Sequence, residues 1–175
     1  MKGQRLDDLY RQYAKPLYFY LYKLCGSKQL AEDLTQETFV RATIHLHLYD
    51  GIEPRAWLFK VARNTYIDEW RKQERRQTIL KRFFSNKEEM ISPYGLPEEE
   101  LLQQELQQQL EDLMVFLPEN YRSILYLREV EQFSYQEIMA TLQVSEEQVK
   151  VTIYRARKRL SELAQKKGWD YGAVE

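Results

Sequence analysis

Phe133-Ser134-Tyr135-Gln136-Glu137-Ile138, then Val144-Ser145-Glu146-Glu147-Gln148-Val149, then Arg155-Ala156-Arg157-Lys158-Arg159-Leu160: these three pieces decide the fold of the chain's last third. They write two helix starts in quick succession, the second helix ending among bases. Ser134 with Glu137, and Ser145 with Gln148, have the spacing of capping boxes. In each, a hydroxyl at the N-cap and a Glu or Gln at N3 satisfy backbone N–H groups that a helix start leaves unpaired. Two short helices at a tight turn, the second polar and basic on its outer side, read as a helix-turn-helix facing duplex DNA.

At about 100° per residue, Val149, Ile153, Ala156 and Leu160 fall on one stripe of the second helix, as a core face requires. The opposite arc carries Glu147, Lys150, Val151, Tyr154, Arg155 and Lys158. Such an arc is either the solvated side of an ordinary amphipathic helix or a surface reaching base edges and phosphates in a major groove, which admits one helix. The paired caps and the Val144-Ser145 turn favour the second reading.

The chain's 175 residues allow one medium domain or two small ones. No apolar run is long enough to span a bilayer, and Met1-Lys2-Gly3-Gln4-Arg5 leads into no signal-peptide core, so a cytoplasmic protein with no direct membrane insertion is expected. The single cysteine, Cys25, excludes an internal disulfide and sits near Leu21, Leu24 and Leu30, the setting of a buried, inert thiol. Six glycines and few β-branched runs argue for an all-α protein.

A formal charge of −1 hides a segregation. Bases outnumber acids between Arg55 and Arg82, and seven bases stand against Glu162 alone between Lys150 and Lys167, whereas eight acids and no base lie between Glu88 and Asp112. Two basic blocks split by an acidic one point to two nucleic-acid-facing surfaces.

The organisation follows. Residues 1–77 read as a helical domain with helices over Leu6–Leu24, Leu30–Ile44 and Pro54–Lys72, Ser27 being an N-cap and Pro54 a first-turn residue. Residues 78–100 lose periodicity and collect Ser, Asn, Pro and Gly, the composition of a flexible linker. A second domain, 101–168, begins with a helix over Leu101–Leu117, is punctuated by Pro118, and continues through Tyr121–Val130 into the helix-turn-helix; 169–175 is a tail. The fold class is two small helical domains on one chain.

Two further stretches carry chemistry. The Pro54 helix has an apolar arc (Trp57, Leu58, Val61, Ala62, Tyr66, Trp70) and another arc of Lys60, Arg63, Asn64, Ile67 and Arg71. Its aromatics are either core or a stacking platform for unpaired bases; Asn64 and Ile67 on the basic arc are harder to explain as solvation. On the preceding helix Asp33, Gln36, Glu37 and Val40 share one side, opposite a stripe of Leu34, Thr38, the Arg41 stem and Ile44. That polar strip is either a solvent face or a partner surface.

Taken in order, Asp33-Leu34-Thr35-Gln36-Glu37-Thr38-Phe39, Trp57-Leu58, Ala62-Arg63-Asn64, Ile67-Asp68, Leu117-Pro118, Tyr121-Arg122, Phe133 to Ile138 and Arg155-Ala156-Arg157 resemble an extracytoplasmic-function (ECF) RNA polymerase sigma factor of the sigma-70 family. The resemblance covers nearly the whole chain and implies a region 2 bundle and a region 4 helix-turn-helix. It implies that Asp33, Gln36, Glu37 and Arg41 contact the β′ clamp of core RNA polymerase. It implies that Asn64 and the loop from Leu48 to Glu53 recognise the −10 motif and capture a flipped base, the capturing residue being Leu48 or Tyr49. Base extraction costs a few kcal/mol of stacking, which neighbouring cations help offset; Lys60, Arg63 and Arg71 would hold the melted strand, and Ile67 shares their arc. Ser145, Glu147, Lys150, Val151, Thr152, Tyr154 and Arg155 match −35 readers, and Arg128 a phosphate contact. Promoter DNA, core polymerase and an anti-sigma factor are the implied partners; the implied location is the bacterial cytoplasm, with the nucleoid.

The chain departs from the family at the turn Leu142-Gln143-Val144-Ser145, where Gln143 replaces a usual Gly. If that position takes φ > 0, Gln is mildly unfavourable there. Met139 stands where Ala is usual, which suggests looser or rearranged packing between the two helices. His45 and His47, the only histidines, have no partners at metal-ligand spacing, and no Gly-rich phosphate loop or nucleophile elbow occurs. Neither an enzyme nor a cofactor is expected. The rival readings are a stand-alone helix-turn-helix regulator, which needs a self-association surface instead of the Asp33 and Trp57 helices, and an adaptor that retains the sigma fold.

Overall fold

A computed structural model describes residues 2–45, 53–83 and 112–168. Leu48 and Tyr49, residues 84–100 of the expected linker, the first part of the Leu101 helix and the 169–175 tail lie outside the described residues. The chain divides into two units, Met1–Leu96 and Pro97–Glu175; among the described residues every regular element is helical.

The first unit contains α1 (Lys2–Cys25), α2 (Lys28–His45) and α3 (Pro54–Phe83). Helix α1 buries Leu9, Leu17, Tyr20, Leu21 and Leu24, one face at helical spacing. Pro16 sits inside it without a backbone N–H to donate. The helix stops at Gly26, whose φ of 70° lets its N–H bond back to the Tyr22 carbonyl at 2.8 Å. Ser27 then caps α2, its Oγ accepting from the Leu30 N–H at 3.3 Å. Helix α3 opens at Pro54, in the position where a missing N–H costs nothing.

The three helices meet along Tyr20 and Phe59, whose ring centroids are 5.1 Å apart, and along Tyr10 and Phe39, edge to face at 4.8 Å. Trp57, Phe59 and Tyr66 are buried, so of the two readings offered for these aromatics the core one holds. Buried hydroxyls are satisfied locally: Thr35 donates to the Ala31 carbonyl, Thr38 to Leu34 and Thr65 to Val61. Removing a fully buried ring such as Phe59 by alanine would cost about 3–5 kcal/mol.

Three details of the periodicity reading need correction. Trp70 is 50 % exposed rather than part of the apolar arc, because a row of i, i+4 residues turns about 40° per step and leaves the core side by its fourth member. Ile44 is 60 % exposed: the buried set of α2 is Ala31, Leu34, Thr35, Thr38, Phe39 and Ala42, and Ile44 points nearly opposite Ala42. Helix α3 runs to Phe83, well past Lys72 and into the stretch read as linker. Residues 73–83 contain no Gly or Pro, and losing an apolar stripe does not stop a helix that has no breaker.

In the second unit residues 112–114 are helical, and a turn follows with the Leu117 N–H on the Met114 carbonyl. Helix α4 (Glu119–Leu125) starts after Pro118 and passes into a π-helical turn, Tyr126–Val130, whose wider step brings the Glu131 N–H to the Tyr126 carbonyl at 3.1 Å. Helices α5 (Tyr135–Leu142) and α6 (Glu146–Lys166) complete it. Leu113, Leu117, Ile124, Leu125, Leu127, Phe133, Ile138, Val149 and Ile153 form its core.

Candidate nucleic-acid interface

Both capping boxes are present in full. The Ser134 Oγ accepts from the Glu137 N–H at 3.2 Å while the Glu137 carboxylate accepts from the Ser134 N–H at 2.8 Å. Ser145 and Gln148 repeat the pattern at 3.2 and 2.9 Å. The turn between α5 and α6 puts Gln143 at φ 56°, ψ 48°, the left-handed region, with its N–H on the Met139 carbonyl. The position does take φ > 0, so glutamine there carries strain that glycine would not. Met139 itself is half-buried.

Helix α6 divides as its periodicity requires. Val149, Ile153 and Ala156 are buried, while Glu147, Lys150, Val151, Tyr154, Arg155 and Lys158 are exposed, Tyr154 by 69 %. Thr152 is half-buried at the edge of this arc. An exposed phenol, an exposed valine and three cations on one helix offer hydrogen-bonding, apolar and phosphate contacts to a groove.

The structure adds pairings to this surface. The Lys150 ammonium lies 2.6 Å from the Glu146 carboxylate one turn earlier, a contact that raises the Lys150 pKa, by hydrogen bonding first and charge attraction second. The i, i+4 spacing made this pair legible in the sequence. Arg128 donates to the Phe133 carbonyl at 2.7 Å and lies over the Tyr135 ring at 5.0 Å, so its guanidinium braces the entry to α5. Arg157 donates to Glu129 at 3.0 Å, tying α6 to the π-helical turn. No local spacing rule could have found that last pair.

In the first unit Asp33, Gln36, Glu37 and Val40 are all exposed along α2, as expected. Arg41 differs from them: it is half-buried and held between Glu37 at 2.8 Å and Asp68 of α3 at 2.7 Å. Hydrogen bonds from Glu37 and then Asp68 raise its pKa, against a smaller opposing effect of burial. The Arg41–Asp68 contact has no local sequence signal, because it depends on α3 lying beside α2. Along α3, Lys60, Arg63 and Ile67 are half-buried and Asn64 and Arg71 exposed, one continuous row. Leu48 and Tyr49 fall outside the described residues.

The chain thus carries a helical unit with a polar strip and a basic row, and a helix-turn-helix with a capping box at the start of each helix. The sigma-70 region 2 model matches residues 9–76 and the sigma-70 region 4 model residues 107–160. The chain is 38 % identical over 162 residues to the ECF RNA polymerase sigma factor SigM of Bacillus subtilis strain 168, covering 90 % of this chain and 94 % of that protein. It is 32 % identical over 154 residues to SigX of the same organism, covering 87 % and 79 %. Among solved structures, the sigma factor RpoE of Bartonella quintana, crystallised with the anti-sigma factor NepR, has the same fold at a TM-score of 0.75 and 23 % identity, over 93 % of this chain and 98 % of that one. The chain belongs to the ECF sigma factors of the sigma-70 family, dissociable RNA polymerase subunits that direct promoter-specific transcription initiation. Among the described residues no helix is long and apolar enough to cross a membrane.

Proposed function

We propose that the two units divide promoter recognition between them. Residues 1–77 dock on the β′ clamp of core polymerase through Asp33, Gln36 and Glu37, with Arg41 bracing that strip from within. Asn64, Ile67 and the 48–53 loop, with Leu48 or Tyr49 as the capturing residue, take the −10 element, and Lys60, Arg63 and Arg71 hold the melted strand's phosphates. Residues 101–168 read the −35 duplex through Glu147, Lys150, Val151, Thr152, Tyr154 and Arg155. Ser145 contributes through its cap, which orders the first turn of α6, and Arg128 braces the entry to α5 and contacts a backbone phosphate. Residues 78–100 connect the two.

The observation that carries this reading is the exposed arc of α6, ordered by the Ser145 capping box, on the same chain as an exposed Asp33–Glu37 strip. A stand-alone operator-binding regulator has no use for the strip. The protein acts as an initiation subunit without chemistry of its own, in the cytoplasm with the nucleoid. The Bartonella factor was solved with an anti-sigma factor, and an inhibitory partner of that kind is proposed here too.

Runoff transcription with purified core polymerase tests the whole. A promoter-specific transcript is expected. D33A/Q36A should abolish core binding yet leave duplex binding by the second unit unchanged, and K150A/R155A should do the reverse. No transcript, together with tight operator binding by the free chain, would sink the proposal in favour of the regulator.

A further inference from the structure

From Arg11 to Lys23 helix α1 carries three bases, five aromatic residues and no acid. The promoter reading uses none of them. Leu17, Leu21 and Leu24 face the core. At about 100° per residue, Arg11, Lys15, Tyr18, Phe19, Tyr22 and Lys23 fall on the arc opposite those leucines, about 140° wide. Arg11, Lys15 and Phe19 are exposed, Phe19 by 42 %, and Tyr18, Tyr22 and Lys23 are half-buried. The Tyr18 and Tyr22 rings are parallel within 5° with centroids 6.2 Å apart, Phe19 meets Tyr18 edge-on at 5.3 Å, and the Lys23 ammonium stands 5.9 Å from the Tyr22 ring.

A solvated helix face does not need aromatic rings between its cations, and an apolar docking face does not need the cations. Rings offering π-faces beside a track of positive charge suit unpaired nucleic acid, in which bases stack and phosphates follow the bases. Glu32 couples electrostatically to Tyr18 from α2 and so repels phosphate on that side. The phosphate path is left to the Arg11–Lys15–Lys23 side. We propose that this strip of α1 is a second binding surface for single-stranded nucleic acid, separate from the Lys60–Arg71 row, which lies on α3.

The test uses the full-length chain and a dodecathymidine oligonucleotide carrying 5-iodouracil, which cross-links to aromatic side chains under ultraviolet light. Adducts are expected in the tryptic peptide 12–23, which Pro16 keeps uncut at Lys15. F19A should weaken oligonucleotide binding about fivefold, the loss of one modest stacking contact, and F19W should restore it. K15A should lower the salt slope by about 0.7, the value for one phosphate on a single strand. Phe19 and Lys15 lie on the surface, so an unchanged thermal melt separates these effects from misfolding. Adducts confined to other peptides would overturn the proposal. So would polyglutamate competing as well as the oligonucleotide while F19A changes nothing, which would make the strip a site for an acidic protein.

Discussion

Arg41 reaches from α2 to place its Nη1 2.7 Å from the Asp68 Oδ2 on α3, while its Nε bonds Glu37 on its own helix at 2.8 Å. One guanidinium thus joins the strip proposed to meet the polymerase clamp to the helix proposed to meet the melted strand. Its planar fork allows this, where a lysine would offer one point charge. Arg41 is 27 % exposed and Asp68 47 %, so water screens much of the attraction. A double-mutant cycle of R41A and D68A should give a coupling of about 0.5–1 kcal/mol by urea denaturation, within the range of partly exposed pairs. Strict additivity would mean that the contact does not couple the helices.

The capping boxes set the stability of the second unit. S134A leaves the Glu137 N–H without its intrahelical substitute and should lower stability by about 1 kcal/mol. Asparagine at the same position should retain most of it. Circular dichroism melts of the two variants decide the matter.

At Gln143 the left-handed backbone is imposed on a residue with a Cβ. Q143G should raise stability by about 0.5–1 kcal/mol, since glycine adopts that conformation without the steric penalty. A lower melting temperature for Q143G would show that the glutamine side chain compensates for the strain.

Glu146 holds Lys150 in the free protein. In E146Q the ammonium is released and a like charge to DNA is removed, so binding to non-cognate duplex should tighten about twofold, the scale of an exposed i, i+4 pair. Its salt dependence should steepen at the same time. Filter binding at several salt concentrations measures both.

Burial pushes the Tyr18 and Tyr22 phenols above tyrosine's ordinary value of 10.0; Glu32 adds to the effect at Tyr18, and Cys25 adds to it at both. Above that value the unfolded chain sheds phenolic protons that the folded chain keeps. The unfolded state then binds fewer protons, and stability falls as pH rises. The contribution is complete below pH 10 and is lost as pH climbs through the folded values. Y18F/Y22F should therefore lose less stability than the parent between about pH 9 and 11, read from urea midpoints.

Much of the second unit was legible because its rules are local. A hydroxyl at N-cap and a Glu or Gln at N3 act within one turn, and the α6 stripe needs only the helical repeat. Cys25 illustrates the limit. Its leucine neighbours suggested full burial, yet it is half-buried with its Sγ 3.3 Å from the Ser27 carbonyl. The helix ends there, and the enclosing wall ends with it. Trp70 and Ile44 are exposed for an angular reason instead: an i, i+4 row drifts about 40° per step, and Ile44 points nearly opposite the buried Ala42.

By itself, then, the sequence determined the all-helical class, both capped starts of the helix-turn-helix, the exposed arc of α6 and the ordered motifs of an ECF sigma factor. Each is written in residues a few places apart, or in a family pattern carried by the order of residues. Only the tertiary structure decided that Arg41 is a brace, that Arg157 ties α6 to Glu129, and that Arg128 serves the backbone at Phe133. These contacts join helices, or the two sides of a turn, and the distances that make them arise only once the cores around Phe59 and Phe133 have brought the elements together.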